Sequence, residues 1–478
     1  MKLNSLLKNV DIERLINFKN INITNLSIKA DEITKNGLFF AIKGNNFDGK
    51  NFIFQAVECG AKAVVTEREI KDVYIPQIIV KDIRIALAVI SKTFFNKCDE
   101  KLKIIAVVGT NGKTTTSTII YNILKDSGEN VGLIGTNGVL INDLSLPNML
   151  TTPDPIDLFY IFSQMVAFNI KYVVMEISAH AIYYNKVYGI KPEIVVFTNI
   201  SNEHLDFFET MENYSMVKLN YIKSLKNSYK IVNVDDEYGK KLLNEEKVFS
   251  FGLSNPADAF AIDIELNLNG CTFVCNVDDD IFNIKSHLTG DYNVYNLLSA
   301  ISVAKLLNVK SNVIVSSILN LQKINGRWEV FDFPNNNKVI VDYAHTPDGF
   351  KKVLTTVKEF RHGRIITLFG CVGYSDKIKR RLMGDIAKKY SDFVVITSDN
   401  FSEECFDEIV NDIGITEYYA KIKNRAKAVE FSVRMLDKND TLLLLGKGAE
   451  NTQKSANGDT DYNEIEFVKN ILERVDIG

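Results

Sequence analysis

No pair among the six cysteines, at positions 59, 98, 271, 275, 371 and 405, forms a CxxC motif, and they do not fall into the two close pairs of a four-cysteine zinc site. In a chain this long, such scattered thiols read as reduced and mostly buried, which excludes a disulfide scaffold. Apolar runs never reach the length that spans a bilayer, and the opening MKLNSLLKNVDIERL has no apolar stretch of signal-peptide length. Charge of one sign is missing too: 56 basic residues against 60 acidic leave a net charge of -4. That balance supplies no strong pull toward nucleic acid or an anionic membrane. There are no internal repeats, and the longest low-complexity tract, Asn335-Asn336-Asn337, reads as a loop. The expectation is a cytoplasmic protein with no nucleic-acid or membrane partner. Nothing in the pattern specifies an oligomeric state.

What is present is ordinary globular composition, 46% hydrophobic and 24% charged, over 478 residues. That length suits two to four domains. Residues 1–99 carry short strand-like runs at 38–42, 63–66 and 78–80 between helical patterns, and 96–103 reads as a polar linker. From residue 104 the apolar runs IIAVV, VGLIG, YVVMEI, EIVVFTNI and YKIVNV alternate with helical segments, the rhythm of a parallel sheet with crossover helices. Near residue 325 it restarts with KVIVDYA, RIITLFG, DFVVITS and TLLLLG. Residues 253–288, with the turn signal Asn267-Leu268-Asn269-Gly270 and the run Asp278-Asp279-Asp280, read as a β-rich excursion. The fold expected is α/β in three domains. A small N-terminal α/β domain covers 1–99, a central P-loop ATPase-like parallel-sheet domain 100–325, and a C-terminal Rossmann-like domain 326–478.

The stretch AVVGTNGKTTT, Ala106 to Thr116, follows an apolar strand and precedes a helical pattern. The usual G-x-x-x-x-G-K-[ST] spacing would put a first glycine at 107, where valine stands. Strand, Gly-rich turn, Lys-Thr and helix still make the context of a phosphate loop rather than a plain helix-capping turn. Backbone amides from Gly109, Thr110, Asn111, Gly112 and Thr115 would face phosphates. Lys113 would reach the outer phosphates, and Thr114 would offer its hydroxyl to Mg2+.

Three of the five histidines fall in dense polar motifs: His180 in EISAH, His204 in NISNEHLD and His345 in DYAHTPD. Glu176 ends the run YVVMEI, and His204 follows EIVVFTNI. Strand ends at the carboxyl edge of a parallel sheet line one crevice, so both fall on the side of the loop at Gly109. A carboxylate and an imidazole there suit a divalent cation, although spacing alone leaves metal binding open.

These residues carry a resemblance. GTNGKTT at 109–115, TTPDP at 151–155, E-x-S-x-H at 176–180 and N-x-x-x-E-H-L-D at 199–206 resemble the motifs of the Mur ligase family. G-D-Y-N-V-Y-N at 290–296, N-G-R-W-E at 325–329, D-Y-A-H-T-P-D at 342–348 and G-K-G-A-E at 446–450 extend the match to nearly the whole chain. The HTPD motif and layout are similar to the UDP-N-acetylmuramoyl-tripeptide synthetases within that family. The resemblance implies an ATP-dependent, ADP-forming ligase of peptidoglycan synthesis. Such an enzyme phosphorylates the carboxylate of UDP-MurNAc-L-Ala-D-Glu and joins a third amino acid to it. It further implies Lys113 on the transferring phosphoryl, with one Mg2+ held by Thr114 and Glu176 and a second by His204 and a carbamylated Lys218. Asn296 would hold the adenine side, and Arg327 and Asp342 would close over ATP. Thr151, Thr152, Ser178 and Lys186 become contacts for the muramoyl-peptide. Asp399, Asn400, Gly446 and Glu450 become contacts for the amino acid.

The substrate side departs from the family pattern. Lys29-Ala30-Asp31 stands where the family has a uridine-binding Asp-Ser-Arg, and Tyr184 and Lys186 stand for its Gln and Arg. Lys186 keeps the charge without the bidentate fork. Family members that use meso-diaminopimelate share Asp-Asn-Pro-Arg and Gly-Asp-Arg-Asp; this chain has Asp399-Asn400-Phe401-Ser402 and Gly373-Tyr374-Ser375-Asp376. Each missing guanidinium pair is worth roughly 1.5–3 kcal/mol. The expectation is therefore an amino acid lacking the distal carboxylate, such as L-lysine, unless Lys377, Lys379, Arg380 or Arg381 substitutes. Two alternatives stand beside the tripeptide step. One is a paralogous ligase acting on another peptide or on folate-like glutamates; the other is a catalytically silent binding protein, against which the intact Lys113, Glu176, His204 and Lys218 weigh.

Overall fold

Near-continuous apolar runs of β-branched residues form strands buried on both faces, and here they build the α/β architecture expected. The structure is a computed structural model; it describes residues 1–44, 47–142, 144–146, 150–374, 376–402, 404–455 and 458–476. Three α/β segments follow one another, but compactness divides the chain into two units. The first comprises 1–106, 129–195 and 224–228; the second comprises 107–128, 196–223 and 229–478.

In the first unit, β2 (Asn25–Ser27), β3 (Gly37–Phe40), β4 (Ala61–Thr66) and β5 (Gln77–Val80) pair in parallel, and β1 (Ile12–Ile16) closes the edge antiparallel to β5. Side chains alternate across this sheet. Leu38, Phe40, Ala63, Val65, Ile78 and Val80 pack on one face, while Phe39, Ala41 and Val64 pack on the other. Helix Ile83–Phe94 follows, its start capped by Asp82, which accepts from the backbone N–H groups of Arg84 and Ile85. The polar segment 96–103 is not the plain linker its composition suggested. Cys98–Lys101 form a 3-10 turn, and the buried Cys98 Sγ donates to Phe159 O. The apolar Cys98 and Leu102 pull that segment into the packing.

The strand β6 (Lys103–Val108) leads into the second unit. Back in the first lie β7 (Val131–Gly135), β8 (Gly138–Ile141), β9 (Leu144–Leu146) and β10 (Tyr172–Ile177). β10, the YVVMEI run, is buried throughout and pairs in parallel with β7. β11 (Ile194–Phe197) leads out again.

In the second unit β12 (Tyr229–Asn233) and β13 (Val248–Gly252) are parallel, and β14 (Ala259–Asn267), β15 (Gly270–Val277) and β16 (Asp280–Ser286) form an antiparallel meander. This is the β-rich excursion. Its second turn, Asp278-Asp279, has positive φ at both residues, 51° and 60°, as a type I′ hairpin requires. Helix Asp291–Leu306, buried along most of its length, packs on helix Lys113–Asp126. The final sheet has β18 (Asn337–Asp342), β19 (Ile365–Phe369), β20 (Phe393–Ile396), β21 (Tyr419–Lys421) and β22 (Thr441–Leu445) in parallel, with β17 (Glu329–Phe333) antiparallel at the edge. Among the described residues no helix is long and apolar enough to cross a membrane.

Candidate active site

The phosphate loop begins where β6 ends. Val107 is a buried residue inside that strand, so the backbone makes no turn there and needs no glycine. The two glycines that remain are both required. A Cβ on Gly109 would stand 1.9 Å from Thr198 Oγ1, and one on Gly112, whose φ is +84°, would stand 2.3 Å from Asn296 Oδ1. The loop is clamped from the segment after β11. Asn199 O accepts from Thr110 N at 2.8 Å, Asn199 Oδ1 accepts from Asn111 N at 3.0 Å, and Thr198 Oγ1 donates to Asn111 O at 2.7 Å. Lys113 Nζ curls over the loop, donating to Gly109 O at 3.0 Å and Thr110 O at 2.8 Å. Asn296 lies under the turn, accepting from Thr116 Oγ1 and donating to Asn293 Oδ1. It braces the loop, a role its motif did not reveal.

Lys218 is the least ordinary of the basic residues. Instead of a solvated charge on a helix surface, it is 1% exposed. Its Nζ lies 2.5 Å from the Tyr214 hydroxyl and 3.4 Å from Thr110 Oγ1. Among the described residues no carboxylate pairs with it. Burial, reinforced by the charge of Lys113, holds its amine well below the ordinary lysine range. His204, at a left-handed φ of 56°, places its ring 6.3 Å from that of Tyr214. Beside it, Glu203 is buried and meets His345 Nε2 at 2.9 Å. Burial pushes the Glu203 carboxyl up, but the hydrogen bond from His345 and the nearby imidazole charges outweigh it and hold the group well below the usual carboxylate range.

Arg327 joins the loop through Nη2, which donates to Thr114 Oγ1 at 3.1 Å, while its guanidinium stacks 4.4 Å over the Tyr343 ring. Asp342 accepts from the backbone N–H of Trp328 and of Ala344, both at 2.7 Å. It therefore orients the segments carrying Arg327 and His345. Burial pushes its carboxyl up against the pull of Arg327. From the HTPD segment, Thr346 and Asp348 reach the side chain of Asn111 at 3.3 and 3.0 Å.

Further along the same sheet edge, Lys447 Nζ is fully buried between Asn400 Oδ1 at 2.8 Å and Glu450 Oε2 at 2.9 Å, with Asp399 at 3.8 Å. Gly446 has φ +102°, and a Cβ there would stand 3.1 Å from Asp399 Oδ2. Of the four cations named as substitutes for the missing arginines, Arg380 is buried and forks onto Glu404 at 2.6 and 2.7 Å, with Asp412 at 2.8 Å. Arg381 pairs with Asp385 and Lys377 lies 3.8 Å from Asp412. Among the described residues Lys379 alone of the four has no ion pair. Ser375 lies outside the described residues.

In the first unit, TTPDP and E-x-S-x-H come together. Glu176, 1% exposed at the end of β10, accepts from Thr136 N at 3.0 Å, and Thr136 Oγ1 also reaches Thr151 Oγ1 at 3.0 Å. Thr152 Oγ1 donates to Glu176 O, and Ser178 accepts from Ala181 N to cap a short helix. Lys186 pairs with Asp154 at 2.9 Å. Nearby is a cavity of about 520 Å³ whose lining includes Lys29, Ala30, Asp31, Tyr184 and Lys186, the positions where this chain departs from the family's uridine and sugar motifs. Among the described residues no three His, Cys, Asp or Glu side chains cluster as a metal site. The role of Glu176 as a metal ligand rests on its motif.

Asn199, Glu203 and Lys447 were passed over in the sequence although each sits inside a quoted motif. The signal was available as a polar residue flanked by assigned ones.

Residues 22–109 match the description "Mur ligase family, catalytic domain", 107–304 "Mur ligase middle domain" and 326–448 "Mur ligase, glutamate ligase domain". A Clostridium acetobutylicum protein named UDP-N-acetylmuramoyl-L-alanyl-D-glutamate--2,6-diaminopimelate ligase 1 is 37% identical over 99% of this chain and 100% of its own. An Aquifex aeolicus protein named as the corresponding 2,6-diaminopimelate ligase is 37% identical over 94% of each. Among solved structures, a UDP-N-acetylmuramoyl-L-alanyl-D-glutamate--2,6-diaminopimelate ligase superposes with a TM-score of 0.68 at 25% identity, covering 99% of each chain. MurF ligase from Thermotoga maritima in complex with ADP shares the fold, with a TM-score of 0.63 over 94% of this chain and 97% of that one at 19% identity.

Proposed function

The chain belongs to the Mur ligase family, and from that premise we propose that it is a cytoplasmic ATP-dependent ligase. It adds the third amino acid to UDP-MurNAc-L-Ala-D-Glu in peptidoglycan synthesis. Residues 1–99 take the UDP-linked substrate, 100–325 ATP, and 326–478 the amino acid. A carboxylate is a poor acyl donor, so its oxygen takes the γ-phosphoryl of ATP and ADP leaves. The amine of the incoming amino acid attacks the acyl phosphate, the tetrahedral intermediate collapses, and inorganic phosphate departs as the amide forms. Charge builds on the transferring phosphoryl, and Lys113 at the loop is the cation nearest that task.

The observation that carries the reading is the buried Lys218 amine beside Thr110 of the phosphate loop. A lysine held below its usual pKa is a neutral nucleophile, able to add CO2 and become an anionic carbamate with loss of a proton. The donor set fits Mg2+: in this unit the Thr114 hydroxyl would hold one ion, and the carbamate oxygens of Lys218 with the His204 imidazole a second. When bound, the cation would neutralise charge on the phosphates. Arg327, hydrogen-bonded to Thr114 and stacked on Tyr343, supplies a second positive group at the loop.

For the amino acid we favour one without a distal carboxylate, because Arg380 is held by Glu404 and Asp412 and no guanidinium stands at 402. The names of the relatives support diaminopimelate as a second reading, with Lys379 as its cation. Phosphate release from ATP, measured with UDP-MurNAc-dipeptide against a panel of amino acids, tests the proposal. Release that depends on both partners, with the amide product found by mass, is the expected result. Lys113→Ala should lower it by about 10³ or more through lost charge stabilisation. Release indifferent to the UDP-substrate would refute the reading.

A further inference from the structure

Three cations line the 520 Å³ cavity of the first unit: Lys29, Arg84 and Lys186. Two are already neutralised within the protein. Lys29 pairs with Glu32 at 2.6 Å, and Lys186 pairs with Asp154 at 2.9 Å. Among the described residues no carboxylate pairs with Arg84. Its Nη2 donates to Lys43 O at 3.1 Å, and its Cζ lies 4.2 Å over the centroid of the Tyr184 ring.

Those two contacts hold the plane of the guanidinium, one along an edge and one across a face. A guanidinium has five N–H donors, and the Lys43 carbonyl engages one edge of the fork. A fixed planar fork with uncompensated charge matches two oxygens of a phosphate group far better than a flexible ammonium does. The rest of the cavity wall is largely apolar and aromatic. Ile28, Ile42 and Leu87 contribute to it, and Phe47 and Phe52 meet edge to face at 6.1 Å, offering surface for a flat ring. The volume lies within the range of small-molecule sites.

We propose that Arg84 is the residue that binds the diphosphate of a nucleoside-diphosphate-linked substrate in this cavity. Lys186, tied to Asp154, is not the principal phosphate cation. Tyr184 holds the guanidinium in place by stacking beneath it. The inference rests on the UDP-linked substrate proposed above and adds which side chain grips it.

Calorimetry with UDP and with uridine tests the assignment on the wild type, Arg84→Gln and Arg84→Lys. Loss of one charge-assisted contact corresponds to roughly 10- to 100-fold in affinity. Arg84→Gln should therefore weaken UDP by that factor and leave uridine unchanged, with Arg84→Lys in between. In turnover, the KM for UDP-MurNAc-dipeptide should rise while kcat and the KM for ATP hold. Equal loss of UDP and uridine affinity in Arg84→Gln would show that the arginine shapes the cavity without binding phosphate, and unchanged UDP affinity would also overturn the proposal. A wild-type protein that binds neither UDP nor uridine would overturn the UDP-substrate reading itself.

Discussion

His345 Nε2 lies 2.9 Å from Oε1 of Glu203, joining two motifs 142 residues apart in the sequence. The other ring nitrogen faces Tyr343 O at 2.9 Å, so the imidazole is held at both ends. Glu203 in turn neighbours His204, whose Nε2 is 3.8 Å from its second oxygen. The pair ties the HTPD segment to the segment that carries His204.

Removing the imidazole should therefore destabilise the second unit. His345→Ala leaves a buried carboxylate without its donor, at a cost of about 1–3 kcal/mol. His345→Gln, which keeps one N–H donor, should recover part of that. Chemical denaturation of the three proteins reads the effect, and a His345→Ala protein as stable as wild type would show that the pair contributes nothing.

Lys218→Ala should be nearly inactive. Acetate or formate should restore part of the activity by standing in for the carbamate oxygens. Lys218→Arg offers the opposite control, since a guanidinium cannot become an anionic ligand. Full activity in that variant would exclude the carbamate.

The Arg380–Glu404 pair gives a pH-dependent stability. The hydrogen bonds from Arg380 hold the Glu404 carboxyl at about 2, below the roughly 4.3 of an unfolded glutamate. A depressed folded-state value stabilises above the unfolded one and is lost as pH falls through the folded one. Wild type should therefore be more stable than Glu404→Gln near neutrality. That gap should close between roughly pH 4.3 and 2. Denaturant titrations across that range decide it, and a gap that stays constant would rule out the ion pair as its source.

For the amino acid, kcat/KM with L-lysine should exceed that with meso-diaminopimelate. Arg380 cannot turn to a second carboxylate without abandoning Glu404 and Asp412. A clear preference for diaminopimelate would reverse the prediction. Loss of that preference in Lys379→Ala would then identify the substitute cation.

Much of this protein can be read locally. GTNGKTTT declares a strand, a turn and a helix within a dozen residues, and backbone preferences over so short a span depend little on the remainder. The parallel sheets, the Asn267–Gly270 turn and the phosphate loop were legible for that reason. Even the valine at 107 became intelligible once β6 was seen to run through it. What only tertiary structure decided is which polar groups lost their water and what they met there. Lys218 is one basic residue among 56 until packing buries it against Tyr214 and Thr110. Arg380 looked available for a substrate until Glu404, 24 residues on, claimed it. Arg84 drew no attention in the sequence, because its distinction is that no carboxylate among the described residues pairs with it and the ring of Tyr184 lies beneath it. Burial and charge pairing depend on contacts between distant segments, and a side chain's chemistry follows from those contacts.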